Sequence, residues 1–184
     1  MLPIAFEDAT KAIQAFLLSG KEYVCLMQLH GEIPEKRVSE VFQEFTGKIL
    51  QKPPLRASVK RAVRERMIYA IDLLEKEERS VLFRIACQAG TYVRKICSDI
   101  GEVLGCGAHM KELRRTRAGP FQEERNLCSM YDLLDAQNQW KEEKDEQKLR
   151  TFVRPVEEAF EFIPKIHIRD SAVDAICHGA DLAI

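Results

Sequence analysis

Residues 80–105, SVLFRIACQAGTYVRKICSDIGEVLG, change their period halfway along. The first half is rich in β-branched and other strand-forming residues. From Tyr92 onward the apolar residues Val93, Ile96, Ile100, Val103 and Leu104 recur at helical spacing. A strand therefore runs straight into a helix through Ala89-Gly90-Thr91, where a glycine permits a tight exit. Such a junction presents Tyr92, and Arg94 on the first helical turn, to one cleft. A core tyrosine and a surface ion pair are the plainer alternatives for these two residues.

Upstream, RMIYAIDLLE reads as a second strand, joined to the first by the turn-rich KEER segment as a hairpin. Further back, KEYVCLMQLHG has the composition of a mostly buried strand. EDATKAIQAFLL, residues 7–18, and the segment after Pro34, EKRVSEVFQEFTG, read as amphipathic helices.

Two basic clusters interrupt the pattern. In KPPLRASVKRAVRER, residues 52–66, six basic residues face one acid across a proline-broken stretch that reads as a loop. In KELRRTR, residues 111–117, four basic residues face one acid. Clustered guanidinium and ammonium groups suit phosphate backbones, through charge-assisted hydrogen bonds and counterion release. A solvated surface is the usual fate of such runs. KEEKDEQKL, residues 141–149, mixes both signs and reads as a solvated helix or spacer.

The whole chain of 184 residues has 28 Lys and Arg against 29 Asp and Glu, a net charge of -1, so only the distribution of charge argues for a polyanionic partner. With 46% hydrophobic and 31% charged residues it is no disordered tail or linker. No apolar run is long enough to cross a membrane, and the N-terminus lacks the basic start of a signal peptide, so a cytoplasmic location is expected. The six cysteines are scattered without a CxxC pair, and Cys177-His178 lacks partners at ligand spacing. Neither a disulfide framework nor a metal site is expected.

The ordered set GKEYVCLMQLHG, KPPLRASVKRAVRER, AGTYVRKICSDIGEVLGCGAHMKELRRTRAGPF and PKIHIRDSAVDAICHGADLA resembles the TruB-type pseudouridine synthases, and within them the archaeal dyskerin-like branch of box H/ACA ribonucleoproteins. The resemblance implies an α+β fold, a mixed, mainly antiparallel sheet flanked by helices, with a central RNA-binding cleft. It also implies cofactor-free isomerisation of uridine: the nucleotide flips out, an aspartate attacks, the glycosidic bond breaks, and the base rejoins the ribose through carbon. Flipping is required because a side chain cannot reach a nucleotide held inside a stack.

Carried over position by position, the resemblance implies that Tyr23 is the active-site tyrosine against the flipped base. It implies that Arg94 pairs with the catalytic aspartate, that Tyr92 is the neighbouring buried aromatic, and that Leu113 is the apolar wall of the substrate pocket. Lys52, Arg56, Lys60, Arg61, Arg64 and Arg66, with Lys111, Arg114, Arg115 and Arg117, are the expected RNA-binding cations. The implied partners are tRNA, ribosomal RNA with an H/ACA guide RNA, and the small H/ACA ribonucleoprotein subunits.

The family's nucleophile lies in a Gly-Thr-Leu-Asp-type motif, and no aspartate of this sequence stands in one. The expectation is a catalytic domain over residues 1–163 that lacks its N-terminal part, followed at 164–184 by the start of a PUA domain. Such a chain is expected to be inactive alone. The alternative is a non-catalytic RNA-binding scaffold that docks ribonucleoprotein partners.

Overall fold

A computed structural model of the chain describes residues 1–53 and 62–181. Its centre is one sheet of six strands: β1 (Lys21–Leu29), β2 (Gly47–Gln51), β3 (Arg64–Glu77), β4 (Ser80–Cys87), β5 (Ala108–Ala118) and β6 (Phe121–Gln122). They lie in the order β2-β3-β4-β1-β5-β6, and every described pairing is antiparallel. Three helices come before β5 in the chain, α1 (Ala9–Leu17), α2 (Glu35–Glu44) and α3 (Val93–Val103). Four more follow the sheet, α4 (Glu123–Asn126), α5 (Met130–Glu143), α6 (Gln147–Phe152) and α7 (Asp170–Cys177). This is the α+β class expected, with helices packed on a mainly antiparallel sheet.

Strand alternation decides which face is buried. In β1 the odd positions Cys25, Met27 and Leu29 are buried and the even ones only partly so. The register sets Cys25 opposite Phe83 and Met27 opposite Val81, so β4 turns Val81, Phe83, Ile85 and Cys87 to the same side. Onto this face α2 brings Val38, Val41 and Phe42, and α3 brings Val93, Ile96, Cys97 and Ile100. The Phe42 and Phe83 rings meet at 5.1 Å. Burying each side chain of this size stabilises the fold by about 1.5–3 kcal/mol.

The strand-to-helix junction forms as expected. β4 ends at Cys87, Gly90 takes φ +78°, and α3 begins at Val93 with Tyr92 as its N-cap. The α3 helix lies so close to β5 that a Cβ on Gly101 would sit 2.1 Å from the Ala108 nitrogen. Any side chain at position 101 would push helix and strand apart.

Several expectations change. The basic loop over 52–66 gives way to strand at Arg64, because Arg64–Glu77 is long enough to pair with both β2 and β4. Arg56, Lys60 and Arg61 lie outside the described residues. The second basic cluster is also strand: β5 carries all four of its cations beside β1. β2 was hidden by its shortness. In α1 only Phe16 is buried, while Leu17 is exposed. The 141–149 stretch divides between the end of α5 and α6, separated by Lys144 in a left-handed conformation.

Candidate functional site

Tyr23 is the third residue of β1 and is half-buried against the core. The β1–β5 register pairs Cys25 with Leu113 and Tyr23 with Arg115. Paired positions in adjacent strands share a face, so Leu113 and Arg115 stand on the side of Tyr23 and Cys25. Arg114 and Arg117, opposite Val24 and Glu22, stand on the other. Lys111 is the extra residue of the bulge between Leu26 and Met27. What reads in sequence as one basic patch is therefore split across the sheet.

The strand arrangement creates an open hollow of about 370 Å³ lined by Met1, Tyr23, Leu113, Arg114 and Arg115. That volume falls in the roughly 300–1,000 Å³ range of small-ligand sites. It offers an aromatic face, an apolar wall and the guanidinium of Arg115. Leu113 is exposed into solvent here, unlike its paired neighbour Cys25, which is fully buried. Arg115 places its guanidinium carbon 5.6 Å from the centre of the Tyr23 ring, within cation–π range.

The electrostatics of this corner follow from burial and from that guanidinium. Burial pushes the Tyr23 phenol above its ordinary value, while the charge of Arg115 and a hydrogen bond to it pull the other way. Lys21, two residues along β1, is held below its ordinary value by burial and by repulsion from Arg115. Its ammonium group donates to the carbonyls of Leu17 and Ser19 at 2.8 and 2.7 Å.

A second, smaller hollow of about 70 Å³ is lined by Gln51, Pro53, Arg64, Arg66, Gly90 and Tyr92. Gly90 matters here for space as well as conformation. A Cβ on it would meet the Arg66 guanidinium at 3.1 Å. Tyr92 is fixed by Gln51, which is buried at 3% exposure and bonds both backbone polar groups of Tyr92.

The predicted site residues thus fall into three places. Tyr23 and Leu113 share the larger hollow, and Tyr92 lines the smaller one with Arg64 and Arg66. Arg94 is exposed on the first turn of α3, lines neither hollow, and its guanidinium meets no acid among the described residues. Two of the basic residues read as un-neutralised find acids from distant sequence: Arg114 meets Glu123 at 2.9 Å, and Arg117 meets Glu22 at 4.0 Å. Lys52 and Lys111 are exposed. No three His, Cys, Asp or Glu side chains among the described residues come together where they could hold a metal ion. Nor is any described helix long and apolar enough to cross a membrane.

Sequence reading missed the particular position of Arg115 and the role of Gln51. For Arg115 a signal existed: once KELRRTR is placed antiparallel beside KEYVCLM, alternation separates Arg114 from Arg115. For Gln51, a lone glutamine before two prolines, there was none.

Comparison with known proteins bears on what this geometry belongs to. Residues 4–104 match the family model described as Pus10, C-terminal, and residues 94–161 match that of the tRNA pseudouridylate synthase B C-terminal domain. The chain belongs to the TruB-type pseudouridine synthases. The chain is 60% identical, over 183 residues, to the probable tRNA pseudouridine synthase B of Methanopyrus kandleri, matching 100% of its own length and 54% of that protein. Among solved structures it is similar to one of a Cbf5-Nop10-Gar1 complex, with a TM-score of 0.93 and 52% identity over 99% of this chain and 55% of that one. It is also similar to one of an H/ACA RNP bound to a substrate RNA containing 2'-deoxyuridine, with a TM-score of 0.86 and 49% identity over 97% of this chain and 53% of that one. The chain therefore spans about half the length of the relatives it matches.

Proposed function

We propose that this chain supplies the tyrosine-bearing side of a pseudouridine-forming site that acts on RNA. The observation that carries the reading is the shared hollow of Tyr23, Leu113 and Arg115, formed by two paired strands. A flipped uracil needs a ring to lie against, a wall that excludes water, and a cation that stabilises developing negative charge. Tyr23, Leu113 and Arg115 are of those types. In this reading the Tyr23 hydroxyl assists removal of the C5 proton in the later part of the reaction.

Arg94 completes the proposal. In this family the matching arginine pairs with the attacking aspartate, and here its guanidinium has no acid among the described residues. That supports a role reserved for a carboxylate from the aspartate motif. Tyr92 is the N-cap of the same helix. The cations of β3 and those of β5 other than Arg115, with Lys52, Arg56, Lys60 and Arg61, hold the RNA backbone through phosphates and so carry affinity more than sequence preference. Residues 1–163 act as the catalytic unit in this reading, and 164–184 begin a second one.

The substrates proposed are the TΨC-loop uridine of tRNA and guide-directed uridines of ribosomal RNA. The partners are H/ACA guide RNA and small subunits of the kind seen in the Cbf5-Nop10-Gar1 complex. The site of action proposed is the cytoplasm. Tritium release from RNA labelled at uridine C5 tests the reading. The chain alone should release none, and a chain extended upstream to carry a Gly-Thr-Leu-Asp-type motif should release tritium with turnover. An extended chain that binds RNA but never releases tritium would leave the non-catalytic scaffold as the better account.

A further inference from the structure

We propose that Arg115 is a positioning residue for Tyr23: its guanidinium fixes the ring and the hydroxyl of the tyrosine, and does not serve mainly as a phosphate contact. The inference deepens the pseudouridine-forming reading of the same hollow. It rests first on register. Arg115 is the β5 residue directly opposite Tyr23, and the bulge between Glu22 and Tyr23 falls at this pair. A bulge re-aims the side chains beside it, and here it leaves the guanidinium 5.6 Å from the ring centre.

The contrast with its neighbours carries the second step. Arg114 is turned to the other face and engaged by Glu123, and Arg117 reaches Glu22. Arg115 meets no acid among the described residues; its contact is the tyrosine. Its Nε is buried without a hydrogen-bond partner among those residues. An orphaned buried donor costs stability, so packing alone is a poor reason for an arginine here. A guanidinium held over a phenol does have a use. It orients the hydroxyl by a hydrogen bond and offsets the penalty that burial imposes on phenolate. Cys87, opposite Lys21 on β4, acts electrostatically in the other direction.

The chain labelled with 13Cζ-tyrosine provides the test, since each of its four tyrosines then gives one resonance that reports its own titration. Tyr23 is assigned by Tyr23→Phe. In Arg115→Met the Tyr23 resonance should titrate at higher pH than in the wild type, and Arg115→Lys should fall between the two. Arg114→Met should leave that titration where it was. A Tyr23 titration unchanged in Arg115→Met, or raised equally by Arg114→Met, would overturn the assignment. Should Arg115→Met fail to fold, the pair is read from the other side. Tyr23→Phe should move the Arg115 Nε–H resonance, and an unmoved resonance would equally overturn it. None of these readouts needs RNA or turnover, so they stand or fall apart from the proposed activity.

Discussion

Gln51 holds Tyr92 by both halves of its amide: Nε2 donates to the Tyr92 carbonyl at 3.1 Å, and the Tyr92 N–H donates to Oε1 at 2.7 Å. The bond pair ties the end of β2 to the start of α3, 41 residues on. It thereby fixes the turn from which Arg94 projects. Gln51→Leu keeps the volume but strands two backbone groups, which should cost about 2 kcal/mol. Urea unfolding measures the loss. Amide exchange at Tyr92 should quicken more than at Ile100, whose helix turn is held by the core.

Cys87 gives a pH dependence with a definite sign. Burial pushes its thiol from an ordinary value of 9.0 up to about 11. Between those values the unfolded chain loses the proton while the folded chain keeps it, so stability is full below pH 9 and falls as pH rises to about 11. The raised Tyr23 phenol acts in the same direction. Denaturant midpoints across this range should decline in the wild type and decline less in Cys87→Ala.

The junction at Gly90 and the helix after it were legible because the apolar period changes within a few residues there. The β3–β4 hairpin was legible because its two runs flank a polar turn. The two basic clusters misled for one reason: charge count suggests a loop, while strand membership depends on the partner strand. Lys111, Arg114, Arg115 and Arg117 are drawn into β5 by pairing with β1 along its full length. Tyr23, Arg94, Tyr92 and Leu113 were named through likeness to a family, since composition alone makes Tyr23 an ordinary strand residue. That Tyr23 and Leu113 line one hollow while Arg94 lines neither is a matter of register and helix rotation, which no local sequence signal reports.

RNA affinity should fall steeply with salt, because phosphate contacts release counterions. Reversing Lys60, Arg61 and Arg64 to Glu should weaken binding by similar factors for unrelated structured RNAs. Each phosphate contact removed should flatten the slope of log affinity against log salt by about 1. Filter binding at several salt concentrations measures this, and affinity indifferent to both salt and charge would remove these cations from the interface.

In a chain extended to carry the aspartate motif, Arg94→Ala should abolish most tritium release and leave thermal stability near that of the unsubstituted chain, since the side chain is exposed. Arg94→Lys should rescue little. A lysine keeps the charge but loses the planar fork that holds a carboxylate by two parallel bonds. Initial rates with both variants decide between a fork and a diffuse cation.

The hollow at Tyr23 receives a flipped uridine in this account, and 19F NMR of a substrate RNA with 5-fluorouridine at the target position observes that event. With the extended chain the fluorine resonance should move as the base leaves its stack and lies against the ring. Tyr23→Phe should preserve the shift, because the ring remains. Leu113→Arg, which puts a charge into the wall, should abolish it while RNA binding persists. A fluorine resonance that stays at its free-RNA position with the RNA bound, or one that moves equally in Leu113→Arg, would contradict the account.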